Sequence, residues 1–143
     1  MKAPFRLAVA VMLLLAAATV AYPDRRHKRG SHPELCQLKT VFVDGNSESA
    51  NMIRNEIAER TWLKLVASKE HADAVLAIAE TKSTRGFPVT TEQTTVSGQL
   101  IKPGSDEILW SDSASFGEGA FNSGAGSASK MLLGYLRTDA GCK

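Results

Sequence analysis

Ser127-Ala128-Ser129-Lys130 places a hydroxyl and an amine at the spacing in which a helix start presents a serine nucleophile beside a lysine. Ser111-Asp112-Ser113 resembles the companion motif of that chemistry but precedes it, and no Lys-Thr-Gly follows. Without the order and the third part, Ser127 reads as a helix-start residue and Lys130 as a solvated one. His27, His32 and His71 do not fall at metal-ligand spacing, and neither cysteine has a near-neighbour Cys or His. The stretch from Gly117 to Gly126 is glycine-rich. It lacks the Gly-Lys-Ser/Thr of a phosphate loop and does not follow the first strand, as a dinucleotide site requires. A weak anion site at the helix start behind it is the chemistry that remains open. No Ser/His/Asp or Cys/His set can be assembled. The expectation is a protein that is not an enzyme, with no catalytic residue, cofactor or metal.

The cysteines offer chemistry of another kind. Cys36 and Cys142 stand at the two margins of the chain's folded part. An even cysteine count in an exported protein predicts a disulfide. Closing a loop of about 100 residues stabilises a fold by roughly 4–5 kcal/mol in the chain-entropy account. Arg25, Arg26, Lys28 and Arg29 form the one candidate anion-binding set. They read as a solvated linker, as an arm docking on anionic envelope polymers or lipid headgroups at about 1 kcal/mol per basic residue, or as a site for a basic-specific processing protease. From Glu34 onward, 11 Lys and Arg stand against 14 Asp and Glu, a net charge near −3. A nucleic-acid-binding domain carries the opposite sign on its folded surface, so no specific nucleic acid is expected.

The N-terminal residues read as an address. Lys2 and Arg6 precede an apolar run over 7–18, and Ala18-Thr19-Val20-Ala21 supplies small residues for cleavage after Ala21. The run is shorter than the roughly 20 residues of a membrane span, and no cysteine at its end invites acylation. The expected organisation is a signal peptide over 1–21, a basic disordered arm over 22–33 and a single α/β domain over 34–143. The mature chain is expected to be periplasmic or secreted and not membrane-spanning.

Periodicity then supplies the frame. Residues 38–43 read as a buried strand, ended by Asp44-Gly45-Asn46, with Asn46 or Ser47 as helix cap. Ala50, Ile53, Ile57 and Trp62 recur at helical spacing over 49–60 and beyond. Residues 63–66 form a short strand, 68–71 a polar connection, and 74–79 an apolar run that predicts a central strand. Thr84-Arg85-Gly86-Phe87-Pro88 is a break. Residues 90–101 and 107–111 flank the turn Pro103-Gly104-Ser105-Asp106 as a hairpin. A last helix places Ala128, Met131, Leu132, Tyr135 and Leu136 on one stripe. The predicted fold is an α/β (α+β) two-layer sandwich, a mixed sheet of about five strands with two helices on one face.

Val41-Phe42-Val43-Asp44, Leu63-Lys64-Leu65-Val66, the step Ala72-Asp73-Ala74-Val75-Leu76 and Glu107-Ile108-Leu109-Trp110-Ser111 follow one another in a familiar order. Over about residues 36–115 the chain resembles a group of small bacterial envelope domains. These are the lipopolysaccharide-assembly lipoproteins and the related domains of curli-secretion and penicillin-binding-protein-activator lipoproteins. The chain departs from the group in lacking a lipobox cysteine. The resemblance implies a non-catalytic envelope domain that binds a partner, without identifying it. The partner expected from the whole sequence is another envelope protein or an anionic envelope polymer. The residues leave two alternatives: a polyanion-binding protein acting through its basic arm, and a small hydrolase of unrecognised type.

Overall fold

The computed structural model describes residues 32–143. The expected signal peptide lies outside the described residues, as does all but the end of the arm, including Arg25, Arg26, Lys28 and Arg29. His32 and Pro33, at the arm's end, already belong to the fold. The His32 N–H donates to the Asp139 carbonyl at 2.8 Å, and Pro33 opens a 3-10 helix, Pro33–Gln37, whose Leu35 is buried.

Val41 and Val43 alternate with Thr40, Phe42 and Asp44, and the alternation becomes β1 (Thr40–Asp44) with its valines buried. Ser47 caps α1 (Glu48–Arg60) by accepting the Ala50 N–H at 3.1 Å. The apolar positions Ala50, Ile53 and Ile57 are buried as their spacing predicts. There follow β2 (Lys64–Leu65), a 3-10 turn over Lys69–His71, β3 (Ala74–Arg85), β4 (Thr91–Ile101), β5 (Ile108–Gly117) and α2 (Gly124–Ala140). The sheet order is β2-β1-β3-β4-β5. β1 runs parallel to β2 and β3, whereas β3, β4 and β5 are successive antiparallel neighbours. This is the expected mixed five-strand sheet, with β3 at its centre and both helices on one face.

The helices lie side by side in the same direction. The Ser129 hydroxyl donates to the Ser49 carbonyl at 3.4 Å near their starts, and Arg60 and Arg137 line one cleft at their ends. Between helices and sheet, Val43, Leu76, Val96, Leu100 and Trp110 meet Ile53, Ile57, Leu132, Leu133 and Leu136 in one core. Gly98 fits this layer because it has no side chain. A Cβ there would stand 2.9 Å from a Leu132 methyl and 3.5 Å from methyls of Ile78 and Leu76.

Three boundaries differ from the sequence reading. β3 runs on through Arg85, and β5 through Gly117, past the ends that apolar patterning suggests. From Glu80 to Arg85 β3 is polar on both faces, while the outer half of β5 sets Ser113 and Ser115 against Ala114 and Phe116; both become strands by pairing with β4, from Ala79↔Ser97 to Arg85↔Thr91 and from Ser97↔Ser113 to Gln93↔Gly117. The glycine-rich loop is short, because α2 starts at Gly124 with the Ser123 hydroxyl accepting the Gly126 N–H at 3.0 Å. Met131 faces outward, and Leu133 takes its place in the buried stripe.

Asp73 locks the entry of β3 to that of β1. One carboxylate oxygen accepts the N–H groups of Lys39 at 2.8 Å and Thr40 at 3.0 Å, while the Asp73 N–H donates to the Thr40 hydroxyl at 3.0 Å. Those backbone donors hold the carboxyl below its ordinary 3.8. A depressed acid contributes stability above its unfolded value and loses it as pH falls through the folded one. Wild type is therefore more stable than Asp73→Asn near neutrality, and the gap closes below about pH 4. Urea midpoints of the two proteins across that range measure it.

Candidate functional site: the bare face of the sheet

With both helices on one side, no element among the described residues covers the other face of the sheet. Val96, Gly98 and Leu100 point to the helices, so Thr95, Ser97 and Gln99 point away. Register then sets three rows across β3, β4 and β5: Ala77, Gln99 and Ser111; Ala79, Ser97 and Ser113; Thr81, Thr95 and Ser115. Every residue in them is small or uncharged and polar. The Thr95 and Ser115 hydroxyls bond across the strands at 2.7 Å. The small side chains leave a shallow trough of about 530 Å³ floored by Ala77, Ala79, Ser97, Gln99, Ser111 and Ser113. Toward the disulfide end the rows turn apolar, with half-buried Phe42, Val75 and Ile101 in line. β1 adds Phe42 and Asp44 to the same face, paired with Val75 and Ala77. The Lys69 ammonium sits 5.6 Å from the Phe42 ring centroid and 2.7 Å from an Asp44 carboxylate oxygen.

β5 is the sheet's free edge over ten residues. Such an edge offers backbone donors and acceptors to another chain. The Asp112 carboxylate accepts the neighbouring Ser113 N–H at 2.6 Å, partly occupying the middle of that edge.

No protein-family model matches the chain, and no curated protein matches it. Solved structures do. The PelC dodecamer from Paraburkholderia phytofirmans aligns with 15% identity over 80% of this chain and 90% of its own, at a TM-score of 0.50. A point variant of that dodecamer gives 16% identity, 76% and 90% coverage and a TM-score of 0.51. Lipoprotein GNA1162 from Neisseria meningitidis matches at 19% identity over 68% of this chain and 92% of its own, with a TM-score of 0.43. What is shared is a fold.

The other singled-out residues fall elsewhere. Cys36 and Cys142 are bonded, their Cα atoms 5.4 Å apart, at the pole where α2 ends. Lys130 lies 3.4 Å from a Glu56 carboxylate oxygen, on the flank of α1. His71 closes the exposed 3-10 turn, and His32 lies 3.1 Å from Glu34 at the chain's entry into the fold. At the start of α2 the Ser123 hydroxyl accepts the Gly126 N–H, and Glu118 lies close to Gly124; a carboxylate there does not favour an anion. No described helix is long and apolar enough to cross a membrane.

The bare face escaped sequence reading because its residues are unremarkable singly. The available signal was Thr95, Ser97 and Gln99 and then Ser111, Ser113 and Ser115, uncharged polar residues at every second position, combined with a helix count too small to cover two faces.

Proposed function

We propose that this chain is a non-enzymatic binding and assembly module of the bacterial envelope, engaging its partner through the bare face of the sheet and the adjoining edge of β5. The observation that carries this reading is the set of three small, uncharged rows beside an apolar row, on a sheet with helices on one side only. Flat rows of small side chains let another backbone approach closely, and the hydroxyls and amide can bond to it. The likeness to a protein solved as a dodecamer supports a second copy of this chain as the first partner to test. Another envelope protein or an anionic envelope polymer is the alternative occupant. Export to the periplasm or beyond belongs to the same proposal.

The test is photo-crosslinking of the full chain in exporting cells, with a photoreactive residue replacing Ser97 or Ser113. Adducts are expected from both sites, and their absence from the exposed helix position Gly134. A product of twice the chain's mass identifies self-assembly. Equal yields from Gly134, or no adduct from the sheet, would overturn the reading.

A further inference from the structure

The sheet outruns its helices. From Thr81 to Glu92 the β3–β4 hairpin is exposed throughout, and its end carries Phe87 at 97% and Val89 at 76% exposure. The loop joining β5 to α2 lies at the same pole, since Gly117 pairs with Gln93 and the Glu118 N–H donates to the Glu92 carbonyl at 2.8 Å. That loop carries Phe121 at 98% exposure. Among the described residues, no other large hydrophobic side chain is more than 51% exposed. The most exposed apolar side chains are therefore gathered on two loops at one end of the molecule.

Their arrangement selects an occupant. They stand on a convex end, and side chains so exposed form no groove among themselves for a partner's side chain to fill. Behind them come Arg85 and the hydroxyls of Ser83, Thr84, Thr90 and Thr91. A step further back stand Glu92, 3.9 Å from the Lys82 ammonium, and Glu118. Apolar groups first, then a cation among hydroxyls, then acids is the order of preference met in passing from the acyl boundary of a bilayer through its phosphates to water.

We propose that this pole is a lipid-docking tip: Phe87, Val89 and Phe121 enter the headgroup–acyl boundary of an anionic phospholipid bilayer, and Arg85 meets its phosphates. The tip is separate from the bare face, so its variants are expected to leave crosslinking from Ser97 unchanged.

The test uses the full chain with Phe87→Trp and vesicles of phosphatidylglycerol and phosphatidylethanolamine, with and without bromine on the acyl chains. The signal of the native Trp62 and Trp110 is subtracted using the parent protein. The introduced indole is expected to shift its emission to the blue and to be quenched by the brominated lipid. Adding Val89→Ser and Phe121→Ser is expected to cut that quenching about tenfold at fixed lipid. An indole that keeps its aqueous emission while the chain pellets with the vesicles overturns the proposal, because another segment then holds the membrane. A chain that does not pellet overturns it as well.

Discussion

Reducing the Cys36–Cys142 bond is expected to lower the unfolding free energy by about 4–5 kcal/mol. The bond spans 106 positions, so it restricts nearly the whole described chain in its unfolded state. Native domains are stable by only about 5–15 kcal/mol, which makes this one bond comparable to the total. The fold presents the two cysteines to each other by separate devices. Leu35, buried in the core, fixes the 3-10 helix that carries Cys36. Gly141 ends α2 in a left-handed conformation at φ 62° and turns the chain into Cys142. Denaturant unfolding of the oxidised chain against the Cys36→Ser/Cys142→Ser variant measures the effect. A difference below about 1 kcal/mol would mean that the core alone confines the ends, contrary to the loop-closure account.

The second large effect lies where α2 crosses β4. Leu132→Ala is expected to cost about 2–5 kcal/mol by opening a cavity in a packed layer. Gly98→Val is expected to cost about 1–3 kcal/mol, because its side chain must enter the space of the Leu132 methyl 2.9 Å away. The two changes are opposite in volume at one point, so their costs do not add. In the Leu132→Ala background, Gly98→Val fills part of the vacated space and costs less than in wild type. A double-mutant cycle by urea unfolding reads the coupling. Additive costs would show that β4 and α2 shift independently, which the contact between Gly98 and Leu132 argues against.

The fold was legible wherever one face of an element is buried. Ala50, Ile53 and Ile57 announce α1, and the unbroken apolar run over 74–79 announces the central strand, because burial imposes a period on residue types. The outer halves of β3 and β5 were not legible. Residues 81–85 are exposed and polar, and Ser113, Ala114 and Ser115 are small, so position there comes from ladder pairing with β4, and pairing leaves little trace in hydropathy. The bare face is hidden similarly, since Ala79, Ser97 and Ser113 acquire meaning only when register puts them in one row. Phe87 and Phe121 were visible as letters, lying inside a Gly-Pro break and a glycine-rich loop. Their common pole depends on the β4–β5 ladder.

The bridge at the α2 pole has a mechanical consequence. Tension applied to the chain outside Cys36 and Cys142 passes through a covalent bond and leaves the intervening polypeptide slack. The parallel β1–β3 ladder, the helix layer and the bare face then bear none of the load. A domain wired in this way keeps its sheet in shape while its ends are pulled, and only a reductant exposes the sheet to the force.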